Sequence, residues 1–103
     1  NQPVYSTPQV DTDYESNVIL FKGSLISQYH SEICDVFESF ITRNCDFTVD
    51  FEGVTYIDQS ILGLLLILRK RMTEIDRKVS IKGANAKIRK ILELNRLGFM
   101  VND

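Results

Sequence analysis

The chain has 103 residues, enough for one hydrophobic core and too few for two. Apolar residues make up 44% and charged residues 25%, a balance that excludes wholesale disorder. The net charge of −2 gives none of the basic excess that an extended nucleic-acid footprint needs, so no nucleic-acid partner is expected.

Asn1 to Asn17 holds both prolines and many polar residues. It reads as an N-terminal extension with an edge strand around Val4 to Val10, since proline is tolerated at sheet edges. The domain proper is expected over residues 18–103. Val18-Ile19-Leu20-Phe21 is an apolar run stopped by Gly23, which predicts a buried strand. Ser27 to Arg43 carries Ile33, Val36, Phe37, Phe40 and Ile41 at spacings of three and four, the pattern of an amphipathic helix. Phe47 to Phe51 is the next strand, Gly53 to Ile57 a connection, and a long helix follows from Gln59 to Asp76. Val79-Ser80-Ile81 reads as a short strand ending at Gly83. Asn85 is placed to cap a last helix with Ile88, Ile91 and Leu92 inward, running until Gly98.

Strands that alternate with helices need crossover connections, which implies an α/β domain with a mostly parallel sheet. No GxGxxG follows a strand and no CxxC is present, so dinucleotide-binding and thioredoxin-type redox sites are excluded. Cys34 and Cys45 read as two small core residues in a reducing compartment rather than a disulfide. With His30 the one histidine, a multi-histidine metal centre is ruled out, and no cofactor is expected. The longest apolar run, Leu64 to Leu68, is far too short to span a bilayer, so no direct membrane insertion is expected. The basic groups at Arg69-Lys70-Arg71 and Lys87 to Lys90 recur at helical spacing and read as solvated helix faces.

Chemistry concentrates in FTVDFEGVTYIDQSILGLLLILRKR, residues 47–71. Asp58 is suited to be the N-cap of the long helix, with Gln59 completing the turn. Ser60 then lies in the first helical turn, where backbone N–H groups and the helix dipole favour negative charge. A phosphate on Ser60 would bring about −1.5 to −2 charges close to Asp58. Spacing alone favours the plainer reading, in which Ser60 only helps to start the helix. A catalytic nucleophile is disfavoured because no histidine lies near it, so no enzyme is expected. Ile61, Leu64, Leu65, Leu68, Met72 and Ile75 form one stripe that should pack on the sheet. Leu62, Leu66 and Ile67 fall outside that stripe, beside Gly63 and Lys70, and predict a partner-contact face.

This stretch resembles the central motif of STAS domains, the fold of bacterial anti-sigma factor antagonists. That motif reads as a strand, an Asp, a short linker, then Asp-Ser-Ser-Gly-Leu-Gly opening a helix. Asp50, Gly53-Val54-Thr55, Ile57-Asp58, Ser60, Leu62 and Gly63 fit it in order. Ile88-Arg89-Lys90-Ile91-Leu92 stands where the family has a Val-Arg-x-x-Leu pattern, and the resemblance covers Val18 to Val101. Gln59 replaces the first serine of the motif. Ile61 replaces its glycine, placing a branched side chain just after the acceptor. Gly23-Ser24-Leu25-Ile26 stands where many antagonists have Gly-Glu-Leu-Asp.

The resemblance implies a mixed, mostly parallel sheet of four to five strands with helices packed on one side. It implies phosphorylation at Ser60 by a serine kinase of the histidine-kinase-like ATPase class, and its reversal by a PP2C-type phosphatase. The unphosphorylated form would bind its kinase or an anti-sigma factor in the cytoplasm, through Ile61, Leu62, Gly63, Leu66 and Lys70. Two alternatives stand beside this: a constitutive STAS subunit of an ABC-type lipid transport complex, and a small-ligand or nucleotide-binding module.

Overall fold

In a computed structural model, which describes residues 8–102, four strands form one sheet in sequence order. They are β1 (Gln9–Asp13), β2 (Val18–Leu25), β3 (Phe47–Ile57) and β4 (Val79–Lys82). The helices are α1 (His30–Ile41), α2 (Gln59–Glu74) and α3 (Ala86–Leu94), with short 3₁₀ turns at Ser27–Tyr29 and Gly98–Met100. The β1–β2 pair is antiparallel, and β2–β3 and β3–β4 are parallel. Parallel neighbours in sequence order need crossovers, and two right-handed crossovers stepping the same way put α1 and α2 on one face. A single isolated parallel bridge, Ile81 to Val101, extends the sheet past β4, with the Asn102 N–H donating to the Ile81 carbonyl at 2.7 Å.

Strand β3 is longer than its sequence suggests. Gly53 to Ile57, expected as a connection, stays in the sheet because Val54, Thr55, Tyr56 and Ile57 are strand-forming side chains. Two register shifts against β2 accommodate it, between Leu20 and Lys22 and between Gly23 and Ser24. Each places one extra residue on β3, so the inward set moves from Phe47, Val49 and Phe51 to Val54 and then Ile57. Those residues keep step with Ile19, Phe21 and Leu25 of β2, all buried. Gly53 is required at the first shift, where a Cβ would stand 2.6 Å from the Lys22 Cγ. Nor does Gly23 stop β2: it takes φ +85 and carries the strand on to Leu25.

One contiguous core holds the sheet to the helices. Phe21 meets Phe37 of α1 and Phe51 of β3 edge-on, with centroids 5.9 and 5.8 Å apart. From α2 the core takes Ile61, Leu64, Leu65, Leu68 and Met72, as the stripe predicts, and from α3 Ile88 and Leu92. Ile75 departs from that stripe and is exposed, because α2 ends before it in a left-handed turn at Asp76 (φ +59). Arg77 N–H to Met72 O and Asp76 N–H to Thr73 O complete this cap. Helix α3 ends the same way, with Arg96 at φ +63 and Leu97 N–H on Leu92 O, rather than continuing to Gly98. Glu38 and Arg71 link α1 to α2 as a half-exposed ion pair, which contributes little stability. Cys34 and Cys45 are free thiols and only half-buried. The edge strand expected around Val4 to Val10 is observed at Gln9–Asp13, and residues 4–7 lie outside the described residues.

Candidate functional site

The site forms where β3 runs into α2. Asp58 is the extended N-cap (φ −98, ψ 175), and its own N–H donates to the Leu25 carbonyl at the end of β2. Its carboxylate accepts three hydrogen bonds. Oδ1 takes the Ser60 hydroxyl at 2.8 Å and the Ile61 N–H at 3.2 Å, while Oδ2 takes the Ser27 N–H at 2.6 Å. Asp58 therefore ties β2, the 3₁₀ turn before α1, and the first turn of α2 to one point. The Asp58 carbonyl begins the helical ladder by accepting from Leu62 N–H at 3.1 Å.

Ser60 is half-buried and its Oγ is oriented by the bond to Asp58. It sits one residue inside the helix, where the positive end of the dipole and the first-turn amides favour an anion. A phosphate ester at Oγ would lose the O–H donor of that bond and bring negative charge against the carboxylate. Such a group would therefore act first on the Asp58 clamp.

Not every residue expected at the contact face reaches the surface. Leu62 is 4% exposed and Ile61 is fully buried, and both belong to the hydrophobic core at the start of α2. Ile61 therefore adds no bulk beside the Ser60 hydroxyl. Leu66 at 42% and Ile67 at 56% are exposed, Lys70 is exposed, and Gly63 opens between them. Gln59, Gly63, Leu66, Ile67 and Lys70 recur at helical spacing, so they share one outward stripe. A Cβ on Gly63 would meet nothing within 4 Å, so this glycine does not relieve crowding against a strand. Ser27 and the Leu25 carbonyl leave no sign in the sequence, since nothing in their spacing announces a bond to Asp58, for Ser27 a residue 31 positions on. Among the described residues no cluster of His, Cys, Asp and Glu suits a metal ion, and no helix is long and apolar enough to cross a membrane.

An α/β sheet in this order, with an Asp-capped helix presenting a serine in its first turn, defines a STAS domain. The chain belongs to that family: the family model described as "Mlab, STAS domain" matches residues 9–102, beginning at the first residue of β1. A STAS-domain containing protein of Pseudomonas aeruginosa (strain UCBPP-PA14) is 28% identical over 83 residues, covering 81% of this chain and 82% of that protein. The fold is similar to the anti-sigma factor antagonist SpoIIAA in its unphosphorylated form, with a TM-score of 0.76 at 17% identity. That match covers 94% of this chain and 87% of the other. The Bacillus cell fate determinant SpoIIAA in its phosphorylated form matches with a TM-score of 0.70, also at 17% identity, over 94% and 90% of the two chains. At that identity the likeness concerns the fold.

Proposed function

We propose that this protein is a non-enzymatic, cytoplasmic partner-switching regulator. In this reading it binds a serine kinase of the histidine-kinase-like ATPase class, or an anti-sigma factor, and is controlled by phosphorylation of Ser60. A PP2C-type phosphatase would restore the hydroxyl. The observation that carries the reading is the Ser60 Oγ to Asp58 Oδ1 bond at the start of α2. It presents one oriented hydroxyl in a first helical turn, beside the exposed stripe of Gly63, Leu66, Ile67 and Lys70. The likeness to SpoIIAA, solved in unphosphorylated and phosphorylated forms, supports it at the level of the fold.

The test is phosphosite mapping on protein purified from its native cell, with partner capture by Ser60→Ala and Ser60→Asp variants. The expected result is phosphate on Ser60 and a partner retained by the alanine variant and lost by the aspartate variant. Unmodified Ser60 with identical partners for both variants would refute the switch. The description of the matching family as an Mlab STAS domain favours a second reading, the constitutive STAS subunit of an ABC-type lipid transport complex. In that case the α2 stripe contacts its partner whatever the state of Ser60.

A further inference from the structure

The molecule carries a second feature that the switch does not use. A hollow of about 410 Å³ lies past the C-terminal half of α2, bounded by Arg69, Arg77, Lys78, Ser80, Phe99 and Asn102 among others. Its volume falls within the roughly 300–1,000 Å³ of small-molecule sites. Among the described residues three cations line it and no carboxylate does, in a chain whose net charge is −2. Two acids, Asp46 and Asp76, line an adjoining hollow that shares Thr73, Arg77 and Lys78. Asp46 already accepts the Lys78 N–H at 2.9 Å, so part of its capacity is committed to the backbone.

The walls of this hollow are held by the fold. The left-handed cap at Asp76 turns the chain so that Arg77 and Lys78 follow directly into β4. The Lys78 carbonyl accepts from Phe47 N–H at 3.1 Å, fixing that backbone on β3, and Arg77 Nε donates to the Asn44 side chain at 3.3 Å. The second bond occupies Nε and leaves the Nη groups to point elsewhere. Opposite, the Asn102 N–H is anchored on Ile81, and Arg69 lies over the Phe99 ring at 4.5 Å. Phe99 is nonetheless 61% exposed, an aromatic face left to solvent at the mouth of a cationic hollow.

We infer that this hollow binds an organic phosphate, with the phosphate oxygens on Arg77 and Lys78 and the ligand's planar or apolar part against Phe99. Guanidinium and ammonium donors suit phosphate because charge-assisted bonds to its oxygens are the strong ones, and an aromatic wall adds contact area. The chemistry is shared by a soluble nucleotide and by an anionic lipid headgroup, and the experiment separates them.

Amide NMR shifts of the full chain would be followed during titration with AMP and with pyrophosphate. In parallel the chain would be sedimented with phosphatidylglycerol vesicles and with phosphatidylcholine vesicles. Saturable shifts at Ser80, Phe99 and Asn102, weakened about tenfold or more in an Arg77→Gln, Lys78→Gln double variant of unchanged circular dichroism, establish a soluble phosphate ligand. Sedimentation with phosphatidylglycerol alone, lost in the same variant, establishes a headgroup site. Linear shifts spread over every basic residue together with no sedimentation, or binding that the double variant keeps, overturns the inference.

Discussion

The Asp58 carboxylate reaches the backbone N–H of Ser27, a residue 31 positions earlier, at 2.6 Å while its other oxygen holds Ser60 and the start of α2. One side chain thus caps a helix and closes the turn that leads into α1. An N-cap contributes about 0.5–2 kcal/mol and a hydrogen bond to a charged group about 1.5–3 kcal/mol. Asp58→Ala is expected to destabilise the fold by about 2–3 kcal/mol, the terms being only partly additive. Asp58→Asn, which keeps one acceptor oxygen, should lose roughly half as much. Urea unfolding measures both, and an alanine variant as stable as the parent would show that the clamp is not structural.

A second carboxylate makes a prediction about pH. Asp13 closes the β1–β2 turn by accepting the N–H groups of Ser16 and Glu15, each at 3.1 Å. The Ser16 N–H, then its hydroxyl, and lastly the Glu15 N–H hold the Asp13 carboxyl below its ordinary value of 3.8. A depressed folded pKa contributes stability above the unfolded pKa, and this is lost as pH falls through the folded value. An NMR titration of the Asp13 carboxyl in the folded chain should give a midpoint below 3.8, and Asp13→Asn should remove this part of the acid sensitivity. A midpoint at or above the ordinary value would mean that the turn bonds do not persist in solution.

Helix α3 ends on an arginine in a conformation that suits glycine. Arg96 sits at φ +63 with the Leu97 N–H bonded back to Leu92 O at 2.8 Å. The left-handed conformation costs an L-residue about 1–2 kcal/mol, against about 0.5–1 kcal/mol of extra unfolded-state entropy for glycine. Arg96→Gly should therefore stabilise by about 0.5–1 kcal/mol, raising the urea midpoint with an unchanged m-value. Destabilisation would mean that the Arg96 side chain supplies something that its backbone does not reveal.

The same residue shows where sequence stops being informative. Gly98 is a strong local stop signal, yet the helix ends earlier because Arg96 takes the left-handed turn that lets Leu97 become fully buried. Ile61, Leu64, Leu65 and Leu68 were readable as a core stripe because helical periodicity depends on neighbours alone. Asp58 and Asn85 were readable as caps for the same reason, and each accepts the N–H three residues on. Leu62 was misplaced because the width of the buried face depends on what covers the helix start. The strand beyond Gly53 was missed since the two shifts exist only in pairing with β2. The Asp58 to Ser27 bond, joining distant segments, leaves no periodic trace at all.

Burial separates contact residues from core residues on α2. Leu66 and Ile67 are exposed at 42% and 56%, whereas Leu62 is 4% exposed. Leu66→Glu and Ile67→Glu should alter stability by less than about 0.5 kcal/mol, the usual range for surface changes. Under the proposed function they should weaken capture of the partner at least about tenfold, as removal of a desolvated apolar anchor does. Leu62→Ala should instead cost about 2–4 kcal/mol of stability through lost packing. Isothermal calorimetry against the partner and urea unfolding give the two readouts, and unchanged binding by both glutamate variants would remove this stripe from the interface.

Gly63 offers the sharpest division between fold and function. Within α2 it lowers helix propensity by about 0.8–1 kcal/mol relative to alanine, and an added methyl would meet no atom within 4 Å. Gly63→Ala should therefore stabilise the free protein by up to about 1 kcal/mol. A partner that approaches the α2 backbone between Gln59, Leu66 and Ile67 would meet that methyl directly. The variant should then show a higher unfolding midpoint together with weaker partner binding, a combination that general damage to the fold does not produce. Increased stability with full binding would place the partner elsewhere on the surface, while decreased stability would show that the glycine serves the helix itself.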